Sequence, residues 1–227
     1  MAWYDQHPHL VTEIRSSLYE KYPTLHLLIS KDKAEVFGIF PVFSSDGEVL
    51  DRYNISIELL SDYPKSLPIV REIEGRLPWK AEYHIELDGK ACVIMPDDRW
   101  RCFPTVSPFI HYLDGPLHNF FLGQSVYAKT GEWPFGEWGH GNTGIYEYYQ
   151  WLLNVKDNLT VQRFLHTLAK NNLKKHYECP CGSGQLVRKC CVAQIRNLRD
   201  KIHPEVASHS VRRLGGSFPP YKRSQLR

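Results

Sequence analysis

Four cysteines lie close together near the C-terminal end of the sequence, and they constrain the fold of that region more than any other feature. Within thirteen residues, a Cys-Pro-Cys-Gly-Ser-Gly segment is followed by an adjacent cysteine pair; the four are Cys179, Cys181, Cys190 and Cys191. Four thiolates can close a tetrahedral zinc site, and the intervening proline and glycines permit tight turns. The spacing predicts a structural Zn²⁺ module, because four protein ligands leave no position open for water. The alternatives are His176 as a substitute ligand and a disulfide pair.

The composition indicates a folded chain. The 227 residues suit one medium domain with appendages, or two small units. Hydrophobic residues make up 42% and aromatic residues 13%, which is enough for a packed core and excludes a wholly disordered chain. The net charge is only +3, so the whole-chain balance gives no reason to expect a nucleic acid or a membrane as partner.

The basic excess is concentrated at the C-terminal end. After Glu205 no acidic residue occurs, whereas five basic residues do: Arg212, Arg213, Lys222, Arg223 and Arg227. We predict that residues 204–227 form a basic, flexible tail. An anionic partner for this tail is the alternative, but no base-reading motif accompanies it, so we expect no nucleic-acid function.

The sequence predicts a cytoplasmic protein. No apolar run approaches the roughly 20 residues that span a bilayer. The N-terminal segment 1–8 lacks the basic flank and long apolar stretch of a signal peptide. In a reducing cytoplasm, the six cysteines are expected to be thiols or metal ligands.

The first third of the chain predicts one helix followed by a strand meander. Apolar residues at four-residue spacing, Leu10, Ile14 and Leu18, predict an amphipathic helix over 9–21 that Pro23 stops. Aliphatic and aromatic runs then predict strands over 25–30, 35–43 and 53–60, with a weaker one over 68–74 and a turn at 44–47. This order predicts an α+β fold.

The remainder is predicted to be loops and helices. Residues 75–104 have no long regular element, and 106–122 are helical with a break or kink at Gly115-Pro116. The predicted elements that follow are an ordered loop or lid over 128–144, one helix or two joined near Asn158 over 145–170, and a short basic helix over 192–202.

Cys92 is the candidate nucleophile. It lies in a predicted loop just after Gly89, where a thiol can be partly exposed, and Lys90 and Arg99 are cations that could favour the thiolate. A thiolate attacks carbonyl groups, and as the sulfur of a thioester it is a good leaving group, so Cys92 suits an acyl carrier. The alternative is a buried cysteine acting as a small hydrophobe. Cys102 is a competing thiol, with a resolving role or plain packing as its alternatives.

The motifs around Cys92 resemble the ubiquitin-conjugating enzyme family over roughly residues 8–125. That family has a Tyr-Pro-x-x-x-Pro turn after its meander, then a His-Pro-Asn segment, a Gly-x-x-Cys loop and a tryptophan eight residues beyond the catalytic cysteine. The matching residues, in chain order, are Tyr63, Pro64, Pro68, Val70, His84, Gly89, Cys92 and Trp100. The resemblance implies a ubiquitin-conjugating-type fold and a transferase that carries an acyl group on Cys92.

The resemblance also implies roles for neighbouring residues. His84 would brace the active-site loop or transfer a proton, and Asp97 and Asp98 would be turn formers or acid/base groups. One departure matters: Glu86 stands where the family has an asparagine that stabilises the oxyanion, so isopeptide transfer by the usual route is in doubt. The stretch from His84 to Cys92 is also two residues shorter than in typical eukaryotic members.

With both departures, the chain resembles a divergent bacterial branch of the family, the stand-alone conjugating-type proteins of short antiphage (CBASS) operons. The resemblance to this branch implies that the partner is a cGAS-like nucleotidyltransferase. The C-terminus of that partner would be joined to the cysteine, and this conjugation would prime it. An activating enzyme in trans, or adenylation by the partner itself, would supply the energy. The alternative is a catalytically inactive conjugating fold that acts as an adaptor.

Two further segments carry predicted binding functions. An aromatic, glycine-rich loop is predicted to hold an extended peptide with Trp133, Phe135, Trp138 and His140, or else to bury its aromatic rings against the helix at 145–153. The cysteine cluster resembles the SEC-C zinc motif. The predicted domains are therefore a conjugating-like domain over 1–170, a SEC-C-like module with a basic helix over 171–203, and the tail over 204–227.

Overall fold

A computed structural model describes residues 2–31, 33–136, 138–173 and 175–216. The chain divides into two compact units, Met1–Glu137 and Trp138–Arg227. Unit 1 is α+β with a four-stranded antiparallel sheet, and unit 2 contains helices and the cysteine cluster.

Unit 1 begins with two helices that pack beside the sheet. Helix α1 spans Trp3–Gln6 and α2 spans Pro8–Lys21. Pro8 occupies the first turn of α2, where its missing N–H costs nothing. Ile14 and Leu18 are buried, as their spacing predicts, and Tyr22 ends the helix before Pro23. The predicted amphipathic helix is therefore confirmed.

The strands form a meander in which each strand pairs with the next one along the chain. They are β1 Leu25–Ile29, β2 Ala34–Phe43, β3 Val49–Leu59 and β4 Ile69–Glu72, in the order β1-β2-β3-β4. Val36 pairs with Leu27 on one side and Ile57 on the other, and Val36 and Ile57 face the core. Gly38 has a φ of 131° beneath the Thr24 carbonyl, where a Cβ would collide with that oxygen.

Short turns and helices follow the sheet. These are a 3₁₀ turn at Ala81–Tyr83, another at Pro96–Asp98, α3 Arg99–Cys102, α4 Phe109–Tyr112 and α5 His118–Thr130. A π-helical turn, Leu113–Leu117, joins α4 to α5 and contains Gly115 and Pro116. The proline therefore changes the hydrogen-bond pattern without ending the helix, which continues to Thr130. Phe121 of α5 packs against Phe40 and Tyr53 of the sheet.

The described residues of unit 2 form four α-helices, a 3₁₀ turn at Val187–Lys189 and the cysteine segment. The helices are α6 Asn142–Leu153, α7 Asn158–Leu168, α8 Val192–Lys201 and α9 Pro204–Arg213. Asp157 caps α7 by accepting a hydrogen bond from Thr160 N at 2.8 Å, which explains why the 145–170 region forms two helices. Helix α7 packs against α6, α8 and α9.

The prediction of a flexible tail over residues 204–227 is wrong for the first part of that range. Residues 204–213 form α9, which begins with Pro204 after His203, whose Nδ1 accepts from Glu205 N. Ala207 and Ser210 lie three residues apart and are buried. The part of the prediction that covers residues 217–227 lies outside the described residues.

The division of the chain also differs from the predicted boundary at residue 170. Because α7 packs against α8 and α9, helices α6 and α7 belong to the same unit as the cysteine segment. Within the described ranges, none of the helices is long and apolar enough to cross a membrane.

Candidate functional site

Cys92 lies at the end of a tight hairpin that starts at His84. Cys92 N donates to His84 O at 2.7 Å, and Glu86 N donates to Lys90 O at 2.8 Å. The turn closes with Gly89 N donating to Glu86 O at 2.9 Å, and Gly89 has a φ of 81°. This register places Cys92 opposite His84, with Glu86 two residues along the facing arm.

The hairpin is attached to the edge of the sheet. Ile85 and Ala91 form its central bridge, and Ala91 N donates to Val70 O of β4 at 2.9 Å. Ile85 is buried in the core. A Cβ on Gly89 would come within 2.9 Å of the Trp79 ring, so the turn also packs closely. The position of Cys92 is thus set by the hydrogen bonds within the hairpin and by the bond from the adjacent Ala91 to β4.

The Cys92 side chain is exposed, and a carboxylate lies close to it. Its Sγ is 3.8 Å from Glu86 Oε1, within reach of a weak S–H···O hydrogen bond. Lys90 Nζ is 2.7 Å from Asp88 Oδ2. Glu86 therefore faces the sulfur, and the Lys90 ammonium has its own carboxylate partner.

Arg99, the other predicted cation, is occupied by backbone oxygens. Its guanidinium donates to the carbonyls of Pro64 and Lys65, and its Nε donates to Phe103 O at 3.2 Å. Arg99 thus holds the Tyr63-Pro64 turn in place. These contacts give Arg99 a structural role in addition to any effect on the thiol.

His84 is braced by an aromatic contact. Its backbone has a φ of 51°, and its ring lies edge-to-face against Trp133 with the centroids 4.6 Å apart. Trp133 Nε1 donates to Glu82 O at 3.2 Å, and its ring stacks on Tyr127 of α5 at 5.3 Å. The contact gives the histidine ring a packing function, and proton transfer by His84 stays a prediction.

Helix α5 supplies two residues of this brace that the sequence did not predict. Gln124 is buried and donates from Nε2 to Tyr83 O at 2.6 Å. Gly123 leaves room for Trp133, since a Cβ there would lie 2.5 Å from its ring. The sequence feature that could have indicated this role is a glutamine, Gln124, within a largely apolar helix. Together with Trp133, these residues hold the backbone of residues 82–84, where the hairpin begins.

Asp97 and Asp98 are both buried, 4% and 3% exposed, in the 3₁₀ turn before α3. Asp98 accepts hydrogen bonds from Arg101 on both oxygens, with Nε at 3.0 Å from Oδ1. Cys102 Sγ lies 3.4 Å from Asp98 Oδ2. Asp98 therefore anchors α3, and the position of both residues in a turn matches the turn-forming alternative. The acid/base function of Asp97 and Asp98 stays a prediction.

Cys102 differs chemically from Cys92. Although part of the residue is exposed, desolvation of its sulfur and the nearby Asp98 carboxylate raise the pKa of the Cys102 thiol to about 11. A thiol with that pKa is almost fully protonated at neutral pH, and hence a weak nucleophile.

The aromatic, glycine-rich loop is divided between the two units. Trp133 and the exposed Phe135 belong to unit 1, whereas Trp138 and the exposed His140 belong to unit 2. Trp138 packs edge-to-face on Tyr148 of α6 at 5.7 Å. This contact matches the alternative in which the loop buries its rings on the 145–153 helix, and peptide binding stays a prediction.

The four cysteines of unit 2 converge. One sulfur from each of Cys179, Cys181, Cys190 and Cys191 lies within 4.8 Å of the others. Cys179 N donates to Gln185 O at 2.7 Å and closes the first turn. Cys191 precedes α8, and Ile195 N donates to its carbonyl at 2.9 Å, so the second pair starts a helix.

The chemistry of this cluster suits a thiophilic metal ion. Desolvation raises the pKa of Cys181, but hydrogen bonds from Ser183 and from the neighbouring thiols Cys179 and Cys190 outweigh it and lower that pKa to about 6. Ser183 Oγ is 3.3 Å from Cys181 Sγ and 3.5 Å from Cys190 Sγ. All six cysteines are free thiols. Because the four sulfurs converge, the cluster could hold a metal ion.

The two alternatives for this region receive no support. His176 packs its ring on Tyr177 at 4.9 Å and does not belong to the group of converging ligand atoms among the described residues. The second alternative was a disulfide pair, and the four cysteines are free thiols.

No protein-family model, curated protein or solved structure matches this chain. The resemblances to the ubiquitin-conjugating family and to the SEC-C motif therefore stay predictions that rest on the quoted motifs. The structure itself shows an antiparallel α+β unit with an exposed cysteine on a braced hairpin, and a second unit whose four cysteines can bind metal.

Proposed function

We propose that this protein is a cytoplasmic ubiquitin-conjugating-like transferase that carries the C-terminus of a partner protein as a thioester on Cys92. The supporting observation is an exposed thiol held at the end of a hairpin that is bonded to β4 and braced by Trp133. Such a placement fixes the sulfur while leaving it accessible to a flexible peptide end. The proposed partner is a cGAS-like nucleotidyltransferase of antiphage defence.

The chemical step requires an activated carboxyl group. Thiolate attack on an acyl adenylate forms the S–C bond, breaks the C–O bond to phosphate and releases AMP, while the thiol proton passes to solvent or to a nearby base. An unactivated carboxylate would make thioester formation unfavourable. The adenylate therefore comes from an activating enzyme in trans or from the nucleotidyltransferase itself.

Glu86 separates this protein from an ordinary conjugating enzyme. Its carboxylate lies 3.8 Å from Cys92 Sγ, and an ionised carboxylate cannot donate a hydrogen bond to an oxyanion. This site therefore gives little stabilisation to the oxyanion that forms when an amine attacks the thioester. The protein would hold its partner as a thioester that primes second-messenger synthesis.

Intact-mass and non-reducing gel analysis would test this proposal. The protein is co-expressed with the nucleotidyltransferase, with and without an activating enzyme, as wild type, Cys92→Ser, Cys92→Lys and Cys102→Ala. We expect a thiol-labile adduct in wild type and Cys102→Ala, no thiol-labile adduct in Cys92→Ser, and a thiol-stable one in Cys92→Lys. Full priming by Cys92→Ser would refute thioester chemistry.

The second candidate function is a catalytically inactive adaptor. The observation in its favour is Glu86, because the group that would stabilise an oxyanion is replaced by a carboxylate beside the thiol. Co-purification of a partner with Cys92→Ala as efficiently as with wild type, and no adduct in any variant, would establish the adaptor function.

We also propose that the four-cysteine cluster holds a structural Zn²⁺. All four converging ligand atoms are cysteine sulfurs, and four thiolates are the donor set of closed zinc sites. Elemental analysis of the purified protein should give one zinc per chain, and Cys181→Ser with Cys190→Ser should remove it. Another metal at the same stoichiometry would refute the zinc assignment while preserving the site.

A further inference from the structure

The charge of the chain is distributed unequally between its two units. The described residues of unit 1 contain 13 Lys and Arg against 18 Asp and Glu, a formal charge of −5. Those of unit 2 contain 11 Lys and Arg against 5 Asp and Glu, a formal charge of +6. The whole-chain charge of +3 conceals this difference, because the acidic unit offsets the basic one.

A paired segment beside the cysteines brings three of these cations together. Arg188 N donates to Lys175 O at 3.0 Å, and Glu178 forms a bridge with Leu186. Lys175, Arg188 and the adjacent Lys189 are all exposed, and we call these three residues the basic hairpin. In the described part of the chain, none of the three has an ion pair with a carboxylate.

Aromatic rings lie next to the basic hairpin. The exposed ring of His176, which follows Lys175, packs edge-to-face on Tyr177 at 4.9 Å. Lys170 Nζ lies 5.4 Å from the centre of the same tyrosine ring. Cations that contact phosphates, interleaved with rings on which bases stack, are the recurring elements of single-stranded nucleic-acid sites.

Further exposed cations extend the basic surface of unit 2. They are Arg196 on α8 and Arg212 and Arg213 in the last turn of α9. Four thiolates with one Zn²⁺ would contribute about −2, so a metal-loaded unit 2 would keep a positive charge of roughly +4. A positive field of this kind attracts polyanions at long range.

The exposed apolar surface argues against a membrane as the polyanion. Among the described residues of unit 2, the large exposed hydrophobics are Trp151 on α6 and Leu159 on α7. A helix that lies on a membrane needs a continuous apolar face, and one exposed apolar residue on each of two helices does not provide it. Helix α9 directs Ala207 and Ser210 into the protein.

We propose that unit 2 binds nucleic acid, with Lys175, Arg188 and Lys189 contacting backbone phosphates. This inference is independent of the thioester function. It revises the expectation drawn from the net charge of the whole chain, since the charge that a ligand meets is that of the unit it contacts. The basic hairpin binds any sequence, because the phosphate backbone carries no sequence information.

Fluorescence anisotropy with the metal-loaded full chain would test the proposal. The probes are a labelled single-stranded RNA, the matching single-stranded DNA and a DNA duplex, in NaCl from about 50 to 200 mM. We expect affinity to fall as salt rises. The variant Lys175→Glu/Arg188→Glu/Lys189→Glu should bind at least about 10-fold more weakly, with a salt slope smaller by about 2 to 3.

A matched charge reversal in unit 1 provides the control. Arg15, Lys31 and Lys129 are also exposed, and Arg15→Glu/Lys31→Glu/Lys129→Glu makes the same change in net charge. This variant should keep affinity within about twofold of wild type if the contact is local. Circular dichroism and zinc content would verify that both variants are folded.

Three results would overturn the proposal. One is no binding to any probe at about 50 mM salt, where phosphate contacts are strongest. Another is equal weakening by both charge-reversal variants, which would show a non-specific effect of net charge. The third is stronger binding to phosphatidylserine vesicles than to nucleic acid, which would make the partner a membrane.

Discussion

Cys92 and Cys102 lie ten residues apart, but the atoms around their sulfurs differ. Cys92 is exposed at the end of its hairpin, with Glu86 at 3.8 Å. Cys102 lies 3.4 Å from the buried Asp98, and its pKa is raised to about 11. These surroundings predict different reactivities for two thiols that the sequence presents as competitors.

Iodoacetamide should alkylate Cys92 well before Cys102 at pH 8. With a pKa of about 11, Cys102 is only about 0.1% thiolate at that pH, and the thiolate is the reactive form. Labelling of Cys102 should rise steeply as the pH approaches 11. Peptide mass mapping of the full chain over time would measure both rates.

The variant Asp98→Asn should accelerate Cys102 labelling, since it removes the carboxylate that disfavours the thiolate, and should leave Cys92 unchanged. Equal labelling of the two cysteines in the wild type at pH 8 would contradict the assignment of Cys102 as an unreactive thiol.

At the scale of elements, a polar cluster links β3, the loop after β4 and α5. Asp51 accepts hydrogen bonds from Arg76 at 2.6 and 2.9 Å and from Ser125 Oγ at 2.7 Å. Arg76 also lies over the Tyr53 ring at 4.2 Å. Desolvation raises the pKa of Asp51, but the hydrogen bonds from Arg76 and Ser125 outweigh it and hold that pKa well below its usual range.

Asp51→Asn should reduce stability at pH 7 by about 1–2 kcal/mol, with an effect that depends on pH. A lowered folded-state pKa stabilises the protein above the unfolded value of about 3.9, and this stabilisation disappears as the pH falls below it. Urea denaturation at several pH values should therefore show the difference between wild type and variant shrinking below about pH 4. A difference that is constant with pH would mean that the ionised carboxylate does not contribute.

The brace behind the Cys92 hairpin depends on a glycine in α5. Gly123→Ala would put a Cβ 2.5 Å from the Trp133 ring and displace it. We expect a loss of about 1–3 kcal/mol despite the better helix propensity of alanine. Chemical denaturation would measure this loss, and tryptophan fluorescence would report the movement of Trp133.

Gly115→Ala is the matched control for Gly123→Ala, because nothing lies within 4 Å of the added Cβ. It should leave both stability and the rate of Cys92 alkylation near the wild-type values. Equal effects of the two substitutions would show that the Trp133 contact is not what makes Gly123 necessary.

At the scale of the whole molecule, the two units should respond differently to metal removal. Cys191 directly precedes α8, so the cysteine cluster and this helix are expected to lose order together when a chelator removes the proposed Zn²⁺. Hydrogen exchange with and without a chelator should show lost protection over 175–201 and unchanged protection over 34–59. Loss of protection across the sheet as well would mean that the units do not unfold separately.

Much of unit 1 could be predicted from its sequence, because local patterns decide it. Helix α2 and the strands β1 to β3 lie close to the predicted ranges, since their apolar spacing matches the faces that become buried.

The four cysteines of unit 2 converge as their spacing predicts. The helix at 204–213 was missed because its basic residues suggested a solvated tail, whereas Ala207 and Ser210 are small enough to pack closely.

The sequence by itself determined the order of helix and strands, the candidate thiol and the candidate metal ligands, because each of these follows from periodicity or from residues close in the chain. Only the tertiary structure decided what surrounds the Cys92 hairpin, with Trp133 and Gln124 bonded to residues about 40 to 50 positions away. It also decided that α6 and α7 belong to the same unit as the cysteine segment. The physical reason is that the burial of a side chain, and the unit to which a helix belongs, depend on contacts between distant residues. Local propensity does not encode these contacts.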